Sequence, residues 1–307
     1  MKYLSLFAAL LLLLFSQCTR KPDTTAAASV HHSGTKVSAL SAPVPFDYYW
    51  YQGKAELTSY DVEQERYGAM RKAEQVNIFV TEDFSKTKQV KLDDPAAAGA
   101  DRVPVLKLNS VRRYHTGIYD YSMMQSVFTP IAVGAKTLKA TCSVQDWCGH
   151  VFTQFNLAGN RYKVREFSYF ESEGDQETYL DANALLEDDL WTKLRLDPAS
   201  IPSGEVRIIP NGFYARMRHQ PFKEQTATIT HSKDAKEGLL KVEYRSVPRV
   251  LMIRYESLSP YRIIAWEESD QGKLMSRGTR KATRMSAYWS EHDLQHNSLR
   301  DSLGLTF

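Results

Sequence analysis

The sequence predicts a mostly β protein in which an antiparallel meander forms a barrel or half-barrel with two helices. Short segments of alternating apolar and polar residues, separated by turn residues, are typical of such a sheet. The chain also holds 17 Tyr, 13 Phe and 5 Trp, and aromatic side chains fit the pleated surface of strands. Its 307 residues, 43% apolar and 24% charged, exclude collagen-like, wholly disordered and disulfide-scaffold classes.

Charge balance and motif content exclude several functional classes. The chain has 39 Lys and Arg against 36 Asp and Glu, which gives a formal charge of +3. A charge this close to zero does not indicate a surface that binds nucleic acid. The chain contains no Gly-rich phosphate loop, no G-x-S-x-G nucleophile elbow and no dinucleotide fingerprint. The sequence therefore predicts no nucleic-acid partner, no cofactor and no catalytic residue.

The N-terminus predicts a lipoprotein signal peptide over residues 1–17. Lys2 precedes an apolar stretch from Leu4 to Phe15, which is too short to span a bilayer that needs about 20 residues. The stretch ends at Ser16-Gln17-Cys18 and resembles a lipobox, with Gln17 where Gly or Ala is usual. The resemblance implies that Cys18 is lipidated and anchors the protein through its acyl chains. The alternative is a plain secretory signal in which Cys18 is incidental.

Residues 18–45 are predicted to be a flexible tether, and residues 46–307 a single β-rich domain. The tether is rich in Thr, Ala, Ser and Pro, so it cannot bury enough apolar surface to offset its ordering entropy. Its adjacent His31 and His32 are expected to be solvated. Because no acidic pair follows Cys18, we expect an anchor in the outer membrane that faces the periplasm.

The candidate strands follow one another with little between them. They cover residues 103–108, 114–124, 126–131, 137–144, 151–157, 162–170, 206–210, 213–218, 226–231, 239–246, 250–258, 261–266 and 273–288. Asn211-Gly212 predicts a type I′ hairpin turn, because both positions tolerate positive φ. Tight turns between successive strands favour a barrel over a sandwich.

Two segments have helical spacing of leucines. Residues 181–196 place leucines at 185, 186, 190 and 194 before Pro198, which ends a helix. Residues 290–303 begin with Ser290 and Asp293, a variant of the capping box. In front of the first strand, residues 46–51 hold five aromatics in six positions. They are either a stacking platform for flat ligands or an opening strand that contributes to the core, and the core is favoured because aromatics dominate cores by area.

Cys142 and Cys148 are predicted to form a disulfide that closes a small loop. An even pair of cysteines in an oxidising compartment favours this pairing, which would stabilise the fold by about 2–3 kcal/mol. Three alternatives stay open: a metal site that adds His150, a cysteine nucleophile paired with His150, and two unpaired buried thiols. A zinc site lacks a recognisable fourth ligand.

His292 and His296 stand four residues apart and so share one face of a helix. With Asp293 between them, they resemble the His-Glu-x-x-His motif of zinc proteases with Asp in place of Glu. No convincing third ligand follows. A solvated polar helix face is the better interpretation, and we predict no metal site.

Paired acids and a basic stripe offer further candidates. The acids are Asp93-Asp94, Asp188-Asp189 and Glu267-Glu268; such pairs can hydrolyse glycosides across a cleft, but these are expected to be solvated. The stripe consists of Arg277, Arg280, Lys281 and Arg284. It would either contact anionic lipid headgroups or protect an edge strand from pairing.

Several stretches resemble a family of Bacteroidetes-type envelope lipoproteins. They are residues 46–60, 79–84, 117–130 and 147–150. This family often carries the label septum formation inhibitor Maf, yet genuine Maf pyrophosphatases open with Ser-x-Ser-Pro-Arg-Arg, which this chain lacks. The resemblance implies an envelope lipoprotein, and no catalytic residue is carried over.

These observations lead to one main functional hypothesis and two alternatives. The main one is a lipid-anchored, non-enzymatic protein that binds an apolar or amphipathic ligand inside a barrel, since barrel mouths commonly hold such ligands. The first alternative is an interaction module that docks another envelope protein and whose interior is filled by side chains. The second is a hydrolase of envelope glycans or lipids, with Glu267 and Glu268 as candidate acids.

Overall fold

The structure is a computed structural model that describes residues 48–306. The predicted signal peptide, the tether with Cys18, His31 and His32, and the first two positions of the aromatic run lie outside the described residues.

The described chain is built mainly from strands. The strands are β1 (Ala55–Arg66), β2 (Ala69–Ser85), β3 (Arg102–Thr116), β4 (Tyr119–Pro130), β5 (Lys139–Gln145), β6 (His150–Ala158), β7 (Arg161–Ser168), β8 (Gln176–Asp181), β9 (Leu185–Leu186), β10 (Gly204–Ile209), β11 (Gln225–Lys233), β12 (Glu237–Tyr244), β13 (Arg249–Glu256), β14 (Ile263–Asp270) and β15 (Lys273–Ser286). The α-helices are α1 (Leu190–Leu196) and α2 (Gly212–Arg218). Short 3-10 helices occupy Tyr48–Tyr51, Gly99–Asp101, Glu187–Asp189, Pro198–Ser200 and Tyr288–Ser290, and a longer one covers Leu294–Leu303.

All fifteen strands belong to one sheet. Its order is β8-β7-β6-β5-β4-β3-β2-β1-β15-β14-β13-β12-β11-β10-β9, so all neighbouring strands are consecutive in the chain except β1 and β15. Every pairing is antiparallel apart from β9 with β10. No ladder joins β8 to β9 within residues 48–306. The predicted mostly β meander is confirmed, and the sheet is an open barrel.

One continuous core shows that the sheet curls around its helices. It joins inward-facing side chains of β1–β5 and of β10–β14 with those of α1 and α2. Tyr114 stacks on Tyr121 with ring centroids 4.8 Å apart, and Trp266 meets Tyr60 edge-on at 5.1 Å and Trp191 at 5.4 Å. The helices and these side chains fill the interior, as the interaction-module alternative expects.

Two fully buried arginine–glutamate pairs cross this interior. Arg195 on α1 places Nη1 and Nη2 each 2.6 Å from a carboxylate oxygen of Glu56 on β1. Arg249 on β13 binds Glu187 in the same bidentate way, with Nη1 and Nη2 at 2.5 and 2.6 Å from the two carboxylate oxygens. A planar guanidinium matches a carboxylate bidentately. The pairs therefore fix the plug segment, residues 187–196, to two distant strands of the sheet.

The predicted helix over residues 181–196 is only partly correct. The α-helix covers Leu190–Leu196, while Leu185–Leu186 is strand β9 and Glu187–Asp189 is a 3-10 turn. Leu185 and Leu186 pair with Ile208 and Ile209, so the first two leucines extend the sheet. The four leucines have the spacing of one long helix because β9 and α1 follow each other closely, without a turn residue between them.

The predicted hairpin turn at Asn211-Gly212 is wrong, and so is the strand over residues 213–218. Asn211 is instead the N-cap of α2, and its side-chain oxygen accepts from the N–H of Phe213 at 2.8 Å and of Tyr214 at 3.4 Å. Asn is as good a helix N-cap as it is a turn residue, and the cap conformation prevails here. Strands β1 and β2 were not predicted.

The aromatic run forms a 3-10 helix at Tyr48–Tyr51 rather than an opening strand. Trp50 is buried against Phe79, with ring centroids 6.3 Å apart, whereas the Tyr48 side chain is 81% exposed. Trp50 thus belongs to the core, as favoured, and Tyr48, Tyr49 and Tyr51 are exposed to different degrees.

The basic stripe lies on β15, which is not an edge strand. β15 pairs with β1 on one side and β14 on the other, so the prediction of edge protection is wrong. All four cations are ion-paired: Arg277 with Glu63, Arg280 with Glu256, Lys281 with Asp61, and Arg284 with Glu291.

Candidate functional site

The 3-10 helix at Leu294–Leu303 lies against the outer face of the sheet. The sequence predicts a helix here from Ser290, but the N-cap is Asp293, which forms a capping box with His296. At its end, the Leu303 carbonyl accepts from the Ser59 hydroxyl at 2.6 Å. Leu303 packs into a small cluster with Ala55, Leu57 and Val80. These outward-facing residues of β1 and β2 are apolar because the C-terminal segment covers them.

A cavity of about 350 Å³ lies between this segment and the strands beneath it. We call it the C-terminal cleft. Its apolar lining comes from the outer faces of β1–β3 and from the covering segment: Leu57, Val76, Ile78, Val111, Tyr288, Leu299, Leu303 and Leu305. Its polar lining consists of Glu74, Arg113, Arg284, Glu291, His296 and Arg300. The size falls in the range of small-molecule pockets.

The charges of the C-terminal cleft favour an anion. Glu291 pairs with Arg284 at 3.2 Å, and Glu74 accepts from the backbone N–H of Thr306 at 3.0 Å. Arg113 and Arg300 are exposed, and no ion pair joins either of them to a carboxylate of residues 48–306. The cleft therefore combines an apolar floor with two cations that form no ion pair within the described chain.

The covering helix is long for its type. Runs of 3-10 helix beyond three or four residues are uncommon, because their hydrogen-bond geometry is poorer than that of an α-helix. This one covers ten residues, and its Leu294 side chain is 87% exposed. The cover is therefore held by weaker backbone hydrogen bonds than an α-helix of the same length would have.

The two histidines that were considered as zinc ligands, His292 and His296, lie at this cover. The His296 ring accepts through Nδ1 from the backbone N–H of Asp293 at 3.3 Å, which occupies that nitrogen in the capping box. His292 is exposed and lies 3.4 Å from the Asp293 carboxylate. Residues 48–306 hold no cluster of three or more candidate metal ligands.

A second cavity of about 310 Å³ opens at one mouth of the barrel. The β4–β5 loop, α1, Trp50 and Tyr261 line it. Its two cations are already neutralised, since Lys193 lies 2.9 Å from Asp189 and Arg195 holds Glu56. The mouth cavity therefore offers less attraction to a charged amphiphile than the C-terminal cleft does.

The acidic run at residues 187–189 is buried, contrary to the prediction that Asp188-Asp189 is solvated. One oxygen of Asp188 accepts from the Asn211 amide at 2.7 Å, from the Gly212 N–H at 3.1 Å and from the Gln125 amide. Burial, joined by the neighbouring acids Glu187 and Asp189, raises the pKa of Asp188 to about 8. No sequence pattern indicates this burial, because three consecutive acids normally face water.

The other predicted acids are not brought together in a cleft. Asp93 and Asp94 are exposed in the connection between β2 and β3. Glu267 and Glu268 are consecutive on β14 and point to opposite faces of the sheet; Glu267 is exposed, whereas Glu268 accepts from Nε of Arg249 at 2.8 Å. They cannot act as a catalytic pair on one substrate.

The predicted Cys142–Cys148 disulfide is not supported, because both thiols are free. Cys142 is buried on the inner face of β5, and Cys148 is exposed in the turn before β6. From Cys142 to the end of β5 at Gln145 the strand extends about 10 Å, and Cys148 lies in the turn beyond that end. A disulfide needs Cα atoms within about 7 Å of each other. Burial is the main cause that raises the pKa of the Cys142 thiol.

We expect one accessible thiol in the native protein carrying Cys18→Ser. A maleimide reagent should modify Cys148 rapidly and Cys142 only after denaturation, because the Cys142 thiol is both buried and hard to ionise. Mass spectrometry of protein purified from a periplasm without reductant measures the number of adducts. If neither the folded nor the denatured protein takes up an adduct, the two cysteines form the predicted disulfide.

Comparisons with known proteins add little to this description. No protein-family model and no curated protein matches the chain. One similar solved structure is described as a β-barrel-like protein of a domain of unknown function, DUF1849, from Brucella abortus. It shares 8% identity at a TM-score of 0.45, over 76% of this chain and 98% of its own. At that score, no functional residue is transferred. No helix among the described residues is long and apolar enough to cross a membrane.

Proposed function

We propose that this protein is a non-enzymatic, lipid-anchored protein of the cell envelope that binds an anionic single-chain amphiphile in the C-terminal cleft. The sequence supports the anchor through the lipobox-like segment at Cys18. The ligand site expected inside the barrel moves to its outer face, because the described interior is filled by helices and side chains. The observation that carries the proposal is an apolar cleft rimmed by two arginines that form no ion pair within residues 48–306.

The cleft matches both the acyl chain and the anionic head of such a ligand. An acyl chain would contact the outward leucine, valine and isoleucine side chains of the floor, and each buried methylene contributes about 0.8 kcal/mol. A carboxylate or phosphate head would lie near Arg113 and Arg300, where charge-assisted hydrogen bonds are stronger than neutral ones. Membrane-derived fatty acids or lysolipids have this chemistry.

Binding of a fluorescent fatty acid, dansyl-undecanoate, tests the proposal. The full chain carrying Cys18→Ser is used so that no covalent lipid competes. We expect saturable binding in the micromolar range, weakened at least about tenfold by the double substitution Arg113→Glu and Arg300→Glu. The uncharged amphiphile dodecyl maltoside should compete poorly.

The matched control is another double charge reversal, Arg161→Glu with Arg245→Glu. Both of these arginines are exposed and do not line the cleft, so the control should bind as the parent does. Absence of saturable binding, or equal affinity in both double variants, would refute the proposed site.

A further inference from the structure

A third cavity, of about 290 Å³, lies between the end of α2 and the strands β6 and β7. We call it the Arg216 cavity. Its chemistry comes from Glu166, Glu173, Gln176, Arg216, His219 and Phe222. None of these residues belongs to the C-terminal cleft, so a ligand of the Arg216 cavity would bind independently of the proposed amphiphile.

Arg216 is a buried cation that lacks an anion in the described chain. Arg216 is only 7% exposed, yet no carboxylate of residues 48–306 lies within ion-pair distance of its guanidinium. Its Nε is buried without a hydrogen-bond partner, and its Nη1 lies 3.4 Å from the His219 ring. The guanidinium packs 4.5 Å from the ring centre of Phe170. A buried charge is normally paired, so this one is positioned for an acceptor from outside the chain.

Two carboxylates lie in the same cavity. Glu173 contacts Nδ1 of His219 at 2.5 Å and accepts from the Ser168 hydroxyl at 2.8 Å. Glu166 accepts no hydrogen bond within the described chain. Burial and then repulsion from Glu173 raise the pKa of Glu166. A cation placed beside Glu166 would relieve that repulsion.

We infer that the Arg216 cavity binds a free α-amino acid, with its carboxylate on Arg216 and its ammonium on Glu166. A zwitterion supplies both missing partners at once and leaves the net charge of the cavity unchanged. The side chain would lie along Phe222 and Val151, which form the apolar part of the lining together with Ala215 and Pro221.

Calorimetric titration of the full chain carrying Cys18→Ser with L-leucine tests the inference. We expect a dissociation constant below about 1 mM. Two half-probes isolate each charge: N-acetyl-L-leucine lacks the ammonium, and isopentylamine lacks the carboxylate. Each should bind at least about tenfold more weakly than leucine. D-leucine and L-alanine extend the panel.

Substitutions assign the two ends of the ligand. Arg216→Gln and Glu166→Gln should each weaken leucine binding at least about tenfold, whereas Glu177→Gln, an exposed glutamate on β8, should leave it unchanged. If Arg216→Gln does not fold, Gln176→Trp decides, because Gln176 is exposed on β8 and lines the cavity, so the indole would fill it. The inference is overturned if no amino acid binds at about 20 mM, if N-acetyl-leucine binds as well as leucine, or if Glu166→Gln has no effect.

Discussion

Replacement of Arg249 by methionine is expected to lower the free energy of unfolding by about 3–5 kcal/mol. Arg249 holds both carboxylate oxygens of Glu187 and one of Glu268. The Tyr244 hydroxyl donates to the same Glu187 carboxylate. Without the guanidinium, Glu187 would remain as a buried negative charge with no cation, which is the costly outcome. Urea denaturation at neutral pH measures the loss.

A matched control lies on the same strand. Arg254 also pairs with a glutamate, Glu237 at 2.6 Å, but both side chains are largely exposed. Arg254→Met should therefore cost no more than about 1 kcal/mol. Replacing both Glu187 and Arg249 by leucine and methionine should recover part of the loss, since the fully buried carboxylate is removed together with its cation and only the partly exposed Glu268 then lacks its partner. Equal costs for the two single arginine variants would contradict this account of the interior.

The Asp188→Asn variant is expected to remove a pH-dependent loss of stability. Asp188 has a pKa of about 8 in the folded protein, against about 3.9 for an unfolded aspartate. Between these values the folded state holds a proton that the unfolded state has released. Stability relative to the variant therefore falls as pH rises from about 4 to about 8, by at most roughly 1.4 kcal/mol per pH unit.

Urea denaturation of both proteins at about pH 5, 7 and 9 measures this difference. Asn presents an oxygen to the same three donors, and its amide replaces the hydroxyl of the protonated acid. The variant should be similar to the parent at the lowest pH and more stable at the highest. Parallel pH profiles would mean that Asp188 is ionised in the folded protein at every pH tested.

The strand pattern was predictable because alternation has a direct physical cause. Residues 137–144 and 151–157 lie largely in strands β5 and β6, whose side chains alternate between the core and the outer face. The missed strand β2 carries Val76 and Ile78 on its outer face and Phe79 on its inner face. A strand that is apolar on both faces does not alternate. The C-terminal segment that covers its outer face could not be placed from the sequence.

The charged interior was out of reach of sequence reasoning for a different reason. Arginine and glutamate are almost never fully buried unless paired, and the partners here are distant in the chain. Glu56 and Arg195 are 139 positions apart, and Glu187 and Arg249 are 62 apart. The same argument applies to Arg216, whose surroundings depend on how α2 meets β6 and β7. Such sites become visible only when the fold has brought their members together.

The pairing of β1 with β15 has a consequence for biosynthesis. Of the strands that the structure describes, the first to be translated is completed by the last one, because β15 inserts between β1 and β14. Until residues 273–286 have been synthesised, β1 and β14 both present open edges, which are templates for pairing with other chains. Strands β1–β8 and β10–β14 can form beforehand as successive hairpins. The edges of β1 and β14 therefore need protection from other chains until β15 has been synthesised.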